Sequence, residues 1–232
     1  MPPPEASTTP LISKGLEILF PDQLDLFKYS KSTSSKHLVF NALHPRMFHT
    51  LSILGCVSLR TLYVFSGWNA MESESAIAGE QLSKWIAQSG QAARKSLFHA
   101  VTLFDILRNS KDATFLDPLY MAIATIYMWT YVKLVKWQNP LPDRPRQIRL
   151  DQEDRDVLRS WLIGDQFYKI YINDAGILTD NQNPDRILRE AMRKLLRERS
   201  LGWSTLHHGV ARALGQVLEG KIPTLETIAC SN

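Results

Sequence analysis

Residues 117–137 read DPLYMAIATIYMWTYVKLVKW, and this stretch decides the fold class. Asp117-Pro118 is a helix-start signal, because proline lacks the N–H that a first turn leaves unpaired and aspartate accepts from the free ones. From Leu119 to Val132 no residue is charged. A strand is rarely this long, and a helix apolar nearly all round belongs at the centre of a helical protein. The run is bounded by Asp117 and Lys133 and falls short of the roughly 18–20 residues that a membrane span needs. Thr50 to Phe65 is apolar too, but Arg60 interrupts it.

The neighbouring segments repeat the pattern. Residues 91–109 place Ala93, Leu97, Ala100, Val101, Phe104 and Leu107 on one helical face. A helix over about 75–88 presents Ile77, Ala78, Leu82, Trp85 and Ile86. An earlier one starts at His44-Pro45 and runs through Met47, Leu51, Leu54, Val57, Leu62 and Phe65 to a stop at Ser66-Gly67-Trp68. Gly67 can take the left-handed C-cap conformation and let Trp68 fold back near Tyr63. Residues 16–27 spell a short helix broken at Pro21.

Pro140, Pro142 and Pro145 make a stiff connection. After it come helices over 151–163, from Asn183-Pro184 to about Ser200, and from Ser204 to Gly220. No stretch shows sustained period-two alternation. The expectation is an all-α, multi-helix array of about seven to nine helices with no sheet. Its organisation is a weakly ordered segment 1–36, a helical core 37–137, a linker 138–150, a second helical unit 151–222 packed on the first, and a tail 223–232.

Composition narrows the function. The chain has 232 residues, 44% hydrophobic and 22% charged, which fits a globular core. Its net charge of +4 is weak for a dedicated nucleic-acid binder. Cys56 and Cys230 are too few for a structural zinc site or a disulfide scaffold. The N-terminus lacks a basic region followed by an apolar one, so secretion is not indicated.

Catalytic signatures are missing. There is no His-Glu-x-x-His, no phosphate-cradling glycine loop and no Gly-x-Ser-x-Gly elbow. His207 and His208 are adjacent, so on a helix they point about 100° apart and cannot chelate together. They read as surface or cap-proximal residues. His99, on the flank of an apolar face, reads as a partly buried, hydrogen-bonded structural histidine.

The acidic run Asp151, Glu153, Asp154 and Asp156, with Asn173-Asp174, raises the alternative of a magnesium-dependent isoprenoid-diphosphate enzyme. Carboxylates in a first turn more simply favour the helix dipole. A second alternative is a membrane-associated helical protein. Arg186, Arg189, Arg193 and Arg197 form a stripe that could meet phosphate, but it reads first as a solvated face with pairs such as Glu190–Lys194. We therefore expect no catalytic, cofactor-binding or metal-binding residues, and no cofactor.

With these residues laid out, their order resembles the regulatory middle-homology region of fungal-specific transcription factors. The likeness is carried by Arg60-Thr61-Leu62-Tyr63-Val64-Phe65-Ser66-Gly67-Trp68 and by Ala93-Arg94-Lys95 followed by His99-Ala100. It continues through Phe115 to Tyr131, with Pro118 and Trp129-Thr130-Tyr131. It ends with Ile187-Leu188-Arg189-Glu190, Gly202-Trp203 and Ala211-Arg212-Ala213-Leu214. It covers about residues 40 to 220. The resemblance implies an all-helical, non-enzymatic domain that modulates transcription by RNA polymerase II in the nucleus. Self-association or other regulatory proteins would be its partners, without a membrane. The family's zinc DNA-binding module has no counterpart here, since no Cys-x-x-Cys is present, so DNA binding carries over to no residue.

Overall fold

The computed structural model describes residues 38–111, 113–135, 146–149, 155–163, 168–172, 176–177, 184–197 and 204–220. Side chains at 38–44, 146–147, 155–156, 168–169, 172, 176–177 and 204 are outside that description. The helices are α1 (Leu38–Leu54), α2 (Leu59–Phe65), α3 (Glu72–Gln88), α4 (Gly90–Asn109), α5 (Asp117–Leu134), α6 (Arg155–Ile163), α7 (Asp185–Arg197) and α8 (Ser204–Glu219). Three short strands accompany them: β1 (Arg146–Arg149), β2 (Tyr168–Ile172) and β3 (Gly176–Ile177). The fold is essentially all-α, as the periodicity requires.

Helix α5 is the axis of the array. Every residue from Asp117 to Val132 except Leu119 is buried. α1, α2, α3, α4, α7 and α8 all pack against it, and α6 packs on α4. A helix enclosed by so many others has no polar face to keep wet, which is why its sequence lacks one. One apolar cluster runs from Ile53 and Leu62, through Leu97, Phe104 and Met128, to Leu188 and Leu214.

Two helix boundaries differ from expectation. Pro45 lies inside α1 and not at its start. Its missing N–H leaves one carbonyl of the preceding turn without its helical donor. The single helix expected through Phe65 is two helices, bent by 74° at the break. Ile53 and Leu62 explain the bend. Nine residues apart, they would face opposite sides of a straight helix, about 180° apart. Both are fully buried in the same cluster, so the chain turns at Gly55-Cys56-Val57-Ser58 to bring them together. Apolar spacing alone continued through the break and concealed it. Among the described residues no single helix is long and apolar enough to cross a membrane, and only this bent pair reaches that length and composition when its parts are taken together.

The end of α2 follows the sequence closely. Gly67 has φ 83°, Trp68 N–H donates to the Tyr63 carbonyl at 2.9 Å, and Gly67 N–H donates to Val64 at 3.1 Å. This is the Schellman pairing of a glycine-terminated helix. The Trp68 ring then rests 5.3 Å from Tyr63. Gly79 on α3 answers a second need. A Cβ there would lie 3.0 Å from the Phe65 ring, so its absence lets α2 and α3 close.

Ile77, expected on the inner face of α3, is exposed, because the buried stripe is centred on Ala78 and Leu82 and Ile77 lies about 100° away from it. Met47 and Leu51 on α1 are exposed as well.

The expected absence of any sheet is corrected by a small one. β1 pairs parallel with β2 and β2 antiparallel with β3. Ile148 and Ile170 stand opposite each other and are both buried. β1 falls in the stretch read as a linker. Its four residues carry a single apolar side chain behind three prolines, too little for a periodic signal. The alternation in YKIYI at 168–172 was present but only five residues long. The segment 16–27 and prolines 140, 142 and 145 lie outside the described residues.

Candidate functional site

The densest chemistry lies in a buried polar seam where α1 meets α4 and the start of α5. α1 supplies Arg46, His49 and Thr50 from adjacent turns of one face. The Arg46 side chain is 1% exposed, and its Nε sits 3.3 Å from Asp117 Oδ1. Its Nη2 donates to Ser110 Oγ at 2.6 Å. Asp117 does not cap α5 in the way expected. Its carboxylate accepts from the Thr114 N–H at 3.0 Å and from the Thr114 hydroxyl at 2.6 Å. The aspartate thus folds the α4–α5 connection onto the helix start while neutralising Arg46.

One turn along α1, His49 Nδ1 lies 2.9 Å from His99 Nδ1 of α4. One ring donates and the other accepts, and because burial depresses both pKa values the two rings are neutral at neutral pH and in different tautomers. Phe48 and Phe98 close around them with ring centroids 5.3–5.6 Å away. His99 Nε2 is buried without a hydrogen-bond partner. Burial pushes His49 down to about 4. Burial, then repulsion from His49, then from Lys95, hold His99 well below its ordinary value. Nearby, the Tyr127 hydroxyl donates to the Ala93 carbonyl at 2.9 Å, and burial raises its pKa well above the usual value.

These depressed histidines fix a pH dependence. A base whose folded pKa lies below its unfolded value stabilises the fold above the unfolded pKa. That contribution is lost as pH falls from about 6.5 toward 4. For His49 the full loss is about 3 kcal/mol. Chemical denaturation at a series of pH values should show stability declining through this window, and His49→Gln should flatten the decline. Equal slopes for wild type and variant would exclude the pair as the cause.

His99 is hydrogen-bonded as its position implied, but it is buried almost completely where only partial burial was expected. Its partner His49 escaped the sequence reading, though its spacing from Arg46 on an apolar helix was a usable signal. His207 is 1% exposed, whereas His208 is exposed. The pair diverges as helical geometry demands, but His207 belongs to the core of the first turn of α8 and not to the surface. Asp151, Glu153, Asp154, Asn173 and Asp174 lie outside the described residues, as does the Asp156 side chain. No group of three or more metal-ligating side chains occurs among the described residues.

On the far side of α5, Trp129 joins three helices. Its Nε1 donates to Asp185 of α7 at 3.1 Å, its ring meets Phe65 of α2 at 5.5 Å, and Lys133 Nζ stands 5.4 Å over it. α7 buries Ile187, Leu188, Ala191 and Leu195 and turns Arg186, Arg189, Arg193 and Arg197 outward. That is the solvated basic face expected from the spacing.

The polar groups of the seam bond largely to one another inside the core, His99 Nε2 excepted, and the arginines of α7 lie on its outward face. Residues of this chain align at 25% identity over 155 positions with a protein of Gibberella fujikuroi named "Transcription factor". The chain is similar to a transcription factor. The aligned stretch is 67% of this chain but 20% of that relative, so the chain matches about a fifth of the length of the transcription factor. No family model matches the chain. No solved structure matches it.

Proposed function

We propose that this chain is a regulatory helical domain of the fungal transcription-factor type, acting in the nucleus on transcription by RNA polymerase II. The carrying observation is the similarity to the Gibberella fujikuroi transcription factor over two thirds of the chain. The order of the Arg60–Trp68, Ala93–Ala100 and Phe115–Tyr131 segments supports the same reading. In it the domain has no catalytic role, takes no cofactor, and works through protein contacts, with itself or with other regulators. DNA is met through a module carried by no residue of this chain.

A tethering assay tests this. The full chain, fused to an unrelated DNA-binding module, should shift expression of a reporter bearing that module's site by at least about fivefold in either direction, a coupling of about 1 kcal/mol or more. Reporter output indistinguishable from the module alone, with the fusion intact in the nucleus, would refute the reading.

A further inference from the structure

α1 is held to the array by polar groups more than by apolar ones. Of its described side chains only Ile53 belongs to the central apolar cluster, with Leu54 packed against it. The rest of its buried face is Arg46, Phe48, His49, Thr50 and Ser52. Thr50 and Ser52 bond back to carbonyls of α1 itself, at Arg46 and Phe48. Arg46 reaches across to Ser110 and Asp117, and His49 reaches across to His99. At its far end α1 meets α2 in the 55–58 bend, which Val57 anchors in the core.

The histidine pair accommodates one proton between its rings. With the Nδ1 atoms 2.9 Å apart, a second proton sets N–H against N–H between two cations. The surroundings add to that repulsion. Phe48 and Phe98 edge the rings with apolar surface. Lys95 stands one turn before His99 on the same face of α4 and repels it. Asp105 and Arg108 lie about 120° and 180° around α4 from His99. On α1 the nearby charge is Arg46, and α5 brings Asp117 and Tyr120 to that guanidinium. The Tyr127 hydroxyl of α5 is turned to the Ala93 carbonyl.

We propose that α1 is an acid-released arm: a second proton on the histidine pair parts His49 from His99, and α1 swings off α4 and α5 about the 55–58 bend while the other helices stay packed. α5 keeps α2, α3, α4, α7 and α8 against it when α1 leaves. The sign follows from linkage. Once released, both histidines regain the ordinary value of 6.5, whereas docking holds His49 at about 4 and His99 well below its ordinary value. Docking is therefore strongest above 6.5 and weakens as pH falls toward 4. The inference rests on this interface and not on the regulatory reading.

Hydrogen exchange of the full chain at pH 7 and at about pH 5 tests it, each rate being divided by the intrinsic rate at that pH. About pH 5 lies between the released and docked histidine values and above those of most carboxylates. Between the two conditions the amides of residues 48–54 should accelerate at least about tenfold. At about pH 5 they should also exchange at least about tenfold faster than those of residues 121–131. The variant His49→Leu, His99→Leu lacks both rings, and its α1 amides should change by less than about twofold. If circular dichroism shows that this variant does not fold, His49→Gln should show an acceleration at least about fivefold smaller than wild type. Equal protection of α1 and α5 at about pH 5 would mean that the array opens only as a whole, and would overturn the proposal. So would α1 amides indifferent to pH, or an undiminished acceleration in the variants.

Discussion

Arg46→Ala is expected to destabilise the protein by about 3–5 kcal/mol, among the largest effects of any single substitution. The guanidinium is almost wholly enclosed, and its departure strands the Asp117 carboxylate, whose side chain is itself 9% exposed. Two hydrogen bonds from Thr114 remain to that carboxylate, but no opposite charge from α1. The cost is one of an unpaired buried charge more than of a lost attraction. That distinction makes a sharper test. The double variant Arg46→Met, Asp117→Leu removes both charges and keeps apolar volume, so it should recover much of the loss. Urea denaturation of the three proteins checks this. A cost under about 1 kcal/mol for Arg46→Ala would mean that the α1–α5 ion pair is not enclosed.

Trp129→Ala is expected to cost about 3–5 kcal/mol. The indole fills the space among α2, α5 and α7, and its N–H is the donor that holds Asp185 at the start of α7. Trp129→Phe should retain most of the packing and lose about 1 kcal/mol for the hydrogen bond. Trp68→Ala provides the contrast. That ring is only half-buried, stacked on Tyr63 behind the C-cap, so its removal should cost about 1–2 kcal/mol. Equal losses at both tryptophans would contradict the assignment of Trp129 to the centre and Trp68 to the edge.

The legible parts of the fold are those where one physical requirement acts over many residues. α5 could be read as the central helix because enclosure removes every charged side chain from fourteen consecutive positions, Leu119 to Val132. α4, α7 and α8 could be read because each buries a stripe at helical spacing. The end of α2 was visible because Gly67 must adopt φ 83°. What stayed hidden depends on tertiary geometry. Apolar spacing crosses the α1–α2 bend unchanged, and only the common destination of Ile53 and Leu62 demands the turn. The strands are too short for their alternation to register. Asp117 looked like a cap, yet its partner Arg46 lies 71 residues earlier in the chain (117 − 46) and no local pattern announces it.

The same limit governs the candidate site. His99 could be placed inside from its helical face, but the partner that makes it a neutral, hydrogen-bonded pair stands on another helix. The arginine stripe of α7 was visible in full, since it is a property of one helix.

Native-state hydrogen exchange tests most directly the claim that the helices are organised around α5. The amides of Met121 to Tyr131 should exchange only with global unfolding, while those of α3, exposed along much of its length, should open at lower free energy. Exchange of the α5 amides as fast as those of α3 would contradict the account.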